Sequence, residues 1–152
     1  MFQIQRANSD TRSKDIVTNA PRTTLKMRTV HLIDDSVEDA HFVQRVLNIV
    51  YPACHITHFK SGISNLESSM RKPDLSLIDV NMPGISGLET YHALIQSDEL
   101  VPTYFIIGQA HSIAQQQLFS VGVRGLLIKE FGVMQTACLW KYHLSLDKVF
   151  NS

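Results

Sequence analysis

The sequence predicts an α/β protein whose parallel sheet is covered by helices on both faces. From Thr29 onward, short β-rich runs alternate with stretches of helical periodicity, the pattern of successive βα units. The strand candidates are apolar at nearly every position, so both of their faces must be buried. Two of them close on acids: Asp34 and Asp35 follow Val30-His31-Leu32-Ile33, and Asp79 follows Leu75-Ser76-Leu77-Ile78.

Residues 1–27 are polar, rich in Asn, Ser, Thr and Arg, and show neither period. They read as a flexible tail, leaving 28–150 as the folded domain. Thr29–Ile33 is the first strand. Ser36 then offers an N-cap oxygen with Asp39 three residues later, a variant of the capping box. Ala40, Val43, Val46, Leu47 and Val50 follow at helical spacing, and Pro52 blocks continuation. Cys54–Phe59 is the second strand, and Ser61–Met70 a short, weakly amphipathic helix. Asp74–Val80 is the third strand, followed by a loop from Asn81 to Gly87 and a helical stripe of Leu88, Tyr91, Leu94 and Ile95. Pro102 opens the fourth strand, Thr103–Ile107. A Gln-rich helix over Ile113–Val121 ends at Gly122. Gly125–Ile128 is the fifth strand, and Val133–Val149 the last helix.

Composition narrows the function classes. The 152 residues are 44% hydrophobic and 18% charged, enough for one domain with a real core. No apolar stretch approaches the ~20 residues of a membrane span. Cys54 and Cys138 lie far apart and form no staple pattern. With no apolar leader, a reduced cytoplasmic setting is expected. Residues 1–28 carry a net charge of +4 and the remainder −4. An acidic folded part argues against nucleic-acid binding.

If the two acid-ended strands are parallel neighbours, Asp34, Asp35 and Asp79 meet at one sheet edge. Carboxylates held that close repel one another unless a cation joins them. Hard oxygen ligands of this kind suit Mg²⁺.

These acids, with Asp79-Val80-Asn81-Met82-Pro83-Gly84 after the third strand and Lys129 after the fifth, give a chain that resembles the receiver domain of two-component response regulators over residues 28–149. Gly87 and Gly122 fall where that family usually has glycine. The stand-alone chemotaxis-type regulators share the Asp-x-Asn-Met-Pro sequence. The resemblance implies a flavodoxin-like doubly wound (βα)5 fold with strand order 2-1-3-4-5. It implies Asp79 as acceptor of a phosphoryl group from a sensor histidine kinase or a histidine phosphotransfer protein. Asp35, Asp79 and the Asn81 carbonyl would bind Mg²⁺ directly and Asp34 through water, with Lys129 neutralising a phosphoryl oxygen from the other side. Such a module is a self-catalysed phosphoacceptor, not a turnover enzyme. Its output is contact with a downstream protein target.

Where relatives end the fourth strand in Thr or Ser, this chain has Ile107, followed by Gly108, and neither has a hydroxyl. The aromatic switch residue of the fifth strand is replaced by Leu126. Chemistry at Asp79 is therefore expected to be intact, and its transmission altered. One alternative is a divergent receiver that binds proteins independently of phosphorylation. Another is passage of the phosphoryl group to a further histidine in a phosphorelay. A phosphohydrolase is disfavoured, because Asn81 stands where such enzymes place a second acid. A flavin phosphate would be repelled by Asp34 and Asp35. His55 and His58, three apart on a strand, face opposite ways and make no metal site; Trp140 and Tyr142 read as packing residues.

Overall fold

A computed structural model describes residues 28–99, 101–108, 122–129 and 132–147. The expected tail and the Gln-rich helix lie outside the described residues. In chain order the elements are β1 (Arg28–Ile33), α1 (Val37–Val50), β2 (Cys54–Phe59), α2 (Gly62–Leu66), β3 (Leu75–Asp79), α3 (Gly87–Gln96), β4 (Thr103–Ile107), β5 (Gly125–Ile128) and α4 (Val133–Asp147). All five strands are parallel, in the order β2-β1-β3-β4-β5. This is the doubly wound flavodoxin-like arrangement, and it sets β1 beside β3 where the winding reverses.

Alternation along the strands sends side chains to two cores. Val30, Leu32, Leu75, Leu77, Tyr104, Ile106 and Leu127 pack under α1 and α4, with Val43, Leu47 and Trp140 fully buried. Ile33, Phe59, Ile78 and Phe105 pack on the opposite face with Met82, Tyr91 and Leu94. Trp140 also donates its indole N–H to the Ile128 carbonyl at 2.9 Å, so its packing role holds. Tyr142 does not share it: at 61% exposure it projects from α4. Ile95 likewise leaves the α3 stripe for solvent, 43% exposed.

Helix α2 is shorter than the Ser61–Met70 expected. It is capped by Ser61, with Ser64 answering reciprocally, and stops at Leu66. Ser68 donates its amide to the Asn65 carbonyl, and its hydroxyl takes the Met70 amide, so local hydrogen bonds replace the next helical turn. Near the short helix lies a cavity of about 520 Å³, lined by His31, Asn65, Ser76, Lys72, Leu94 and Glu99 among others. It abuts the middle of β1 and the start of β3, away from the acid-bearing strand ends.

Candidate functional site

Adjacency of β1 and β3 delivers the acids to one place. The register pairs Ile33 with Ile78, so each strand's terminal acids emerge side by side. One carboxylate oxygen from each of Asp34, Asp35 and Asp79 can be chosen so that all three lie within 4.8 Å of one another. Asp34 is fully buried, Asp79 is 8% exposed, and Asp35 faces solvent. The sequence expectation of a convergent cluster is met.

Main-chain contacts lock the cluster. The Asp34 amide donates to the Phe59 carbonyl at 3.0 Å. The Asp34 carbonyl accepts from His58 Nε2 at 2.8 Å, so His58 is a satisfied histidine and not a metal ligand. Asp34 Oδ1 takes the Ser36 amide at 3.0 Å, whereas Oδ2 is buried with no partner among the described residues. The Val80 amide bonds to the Ile106 carbonyl, and the Asn81 amide reaches Asp79 Oδ1 at 3.4 Å. Gly84 turns the loop with φ of 75°, a conformation that glycine adopts without cost. A Cβ on Gly87 would run into the Asp79 carbonyl oxygen, so α3 can start this close to the acid only with glycine.

Electrostatics follow from burial. The Asp79 carboxyl is pushed up to about 6, first by burial and then by the charge of Asp34; Lys129 and the Asn81 amide pull it back. Asp34 is raised as well, chiefly by burial, with the Ser36 amide and Lys129 opposing. Two buried acids side by side, one with an orphaned oxygen, form a donor set deficient in positive charge. Hard carboxylate oxygens at this spacing fit a divalent cation such as Mg²⁺; the orphaned Asp34 Oδ2 is the atom that most needs one.

Lys129 arrives through the β4–β5 ladder, its amide bonded to the Ile107 carbonyl at 3.0 Å. It lies close enough to pull on both Asp34 and Asp79, but its ammonium is bonded elsewhere, to Asp39 Oδ2 at 2.8 Å. This corrects the expected capping box. Ser36 Oγ does accept the Asp39 amide at 3.1 Å, but the reciprocal half fails: Asp34 has taken the Ser36 amide, and the Asp39 carboxylate has turned to Lys129. Nothing in the sequence signals a pairing across 90 residues.

At the other half of the edge, Ile107 pairs in register with Ile128 and is 7% exposed. Gly108 is exposed, and Leu126 packs on the second core from a half-buried position.

The model of the family described as the response regulator receiver domain matches residues 30–137. No match is found among the curated proteins. Among solved structures, the chain is similar to the chemotaxis protein CheY4 of Vibrio cholerae, at 23% identity over 82% of this chain and 99% of that one, TM-score 0.63. The receiver domain of the Francisella response regulator 1452 is similar at 16% identity, covering 82% and 97%, TM-score 0.64. The Mn(2+)-bound form of response regulator Rcp1 is similar at 21% identity, covering 78% and 92%, TM-score 0.64.

Proposed function

The chain belongs to the response regulator receiver domain family, and from that premise we propose that Asp79 accepts a phosphoryl group from a phosphohistidine on a sensor kinase or phosphotransfer protein. The observation that carries this reading is the convergence of Asp34, Asp35 and Asp79 at the ends of two adjacent parallel strands. An Asp79 oxygen attacks phosphorus, a P–O bond forms, and the P–N bond of the donor breaks with its electron pair left on the imidazole nitrogen. The transition state is loose, so most of the catalysis is positioning and charge neutralisation.

Asp34, Asp35, Asp79 and the Asn81 carbonyl would hold Mg²⁺, which when bound supplies positive charge to the phosphoryl oxygens; one relative of similar fold has a Mn(2+)-bound form. Asp79 is held with one oxygen on the Asn81 amide, leaving the other for attack. Lys129 brings an ammonium to the same end of the sheet and can neutralise a phosphoryl oxygen. In this reading residues 28–150 form the receiver and residues 1–27 a tail. The protein works in the cytoplasm, and its output is contact with a downstream protein target.

Phosphotransfer from phosphoramidate in Mg²⁺, followed by intact mass, tests the assignment. Wild type should gain about 80 Da, one phosphoryl group, and Asp79→Asn should gain nothing. An adduct of equal yield on Asp79→Asn would refute the acceptor, and a wild type that takes no adduct would leave a phosphorylation-independent binding module.

A further inference from the structure

Resting on the phosphoacceptor reading, we propose that Asp39 is a positioning residue that holds the Lys129 ammonium away from the reacting centre, so that an incoming phosphoryl group must compete for it. Three observations carry this. Lys129 is nearly buried, 14% exposed, and the ammonium bonds Asp39 Oδ2 at 2.8 Å. Asp34 Oδ2 is buried and has no hydrogen-bond partner among the described residues, although Lys129 is close enough to act on Asp34 through space. Asp39 is free to serve because Asp34 Oδ1 has displaced it from the Ser36 amide.

The arrangement divides one cation between two claims. Asp39 is 47% exposed, so water screens its hold on Lys129 and the bond is a weak one. A phosphoryl group on Asp79 would bring about two further negative charges into a drier site, where attraction is stronger. Lys129 would then move from the first turn of α1 toward the β3 end. Asp39 thereby slows phosphorylation in the resting state. The change on phosphorylation falls on α1, on the opposite side of the acid cluster from the hydroxyl-free end of β4.

The experiment measures initial rates of adduct formation from phosphoramidate in Mg²⁺ by intact mass. Asp39→Asn should be faster than wild type by up to about fivefold, the range set by losing a half-exposed ion pair. Asp39→Glu, which keeps the carboxylate, should return toward the wild-type rate. Glu38→Gln removes an exposed charge one residue away and should change nothing, separating the bond from net charge. In a Lys129→Gln background, Asp39→Asn should have no effect. The ¹⁵N resonance of the Lys129 ammonium gives a readout independent of rate: Asp39→Asn should move it, and so should beryllofluoride with Mg²⁺ in wild type. Equal or slower phosphorylation of a folded Asp39→Asn overturns the proposal while leaving the acceptor standing. If wild type itself takes no adduct, the acceptor reading fails and this proposal falls with it.

Discussion

Gly87 and Gly108 stand at two halves of one sheet edge. A methyl group added to the first would strike the Asp79 carbonyl oxygen, and one added to the second would meet none of the described residues within 4 Å. The contrast extends to the chemistry. At the ends of β1 and β3, amides, carbonyls and His58 hold a crowded group of acids in place. At the end of β4 stand the buried Ile107 and the exposed Gly108, and neither carries a hydroxyl. The part that would react and the part that would report the reaction are thus built to different tolerances.

Glycine substitution tests that contrast most severely. Gly87→Ala should cost about 2–4 kcal/mol, since the obstacle is main chain and cannot rotate aside. Gly108→Ala should lie within about 0.5 kcal/mol of wild type, the loss of unfolded-state freedom offsetting any small strain. Urea unfolding of both variants gives the numbers. Equal costs would mean that the two halves are packed alike.

Acidity distinguishes the halves next. Asp79 titrates near 6 when folded, against an ordinary value of 3.8. Between about pH 4 and 6 the folded protein therefore holds the proton more tightly than the unfolded chain, and stability falls as pH rises through that window. Raised by burial, Asp34 acts in the same direction. Burial lowers His31, which makes stability rise as pH climbs toward the ordinary histidine range, and it does so in wild type and variant alike. Asp79→Asn should consequently be more stable than wild type at pH 7.5 without divalent ions, by about 3 kcal/mol. The difference should vanish below pH 4. Mg²⁺ should raise the wild-type midpoint by mass action and leave Asp79→Asn almost unmoved. Parallel pH profiles for the two proteins would show that Asp79 carries no strain of burial.

The same division governs what the sequence discloses. β2, β4 and β5 lie at the expected residues, and β1 and β3 differ by a single residue at their ends, because short β-rich runs between breakers leave few alternatives. The acid cluster was legible because two strand ends and one parallel pairing suffice to build it. Asp39 was not: the spacing from Ser36 reads locally as a cap, and only the folded chain shows Asp34 winning the amide and Lys129 winning the carboxylate. The sequence overextends helix α2 for a related reason, since Ser68 bonds to nearby main chain instead of continuing the helix. Ile95 sits at the edge of the stripe that Tyr91 and Leu94 bury, and Tyr142 lies two residues from Trp140, off the buried face of Ala137, Trp140 and Leu144.

Restoring a hydroxyl asks whether the β4 end is silent only for want of one atom. Ile107→Thr places it in a position 7% exposed and forfeits buried apolar contact, at about 1–2 kcal/mol. Gly108→Ser is the cleaner variant, because none of the described residues lies within 4 Å of that Cβ and stability should change by less than about 0.5 kcal/mol. In wild type, beryllofluoride with Mg²⁺ should leave amide exchange over β4 nearly unchanged while altering the first turn of α1. Gly108→Ser puts a hydroxyl directly after Ile107, which pairs with Ile128 next to Lys129, so protection over Thr103–Ile107 should change modestly. If β4 already responds in wild type, the missing hydroxyl is not what separates the two halves. The response must then pass through packing of Phe105 against Tyr91, whose rings stand 5.5 Å apart on the second core.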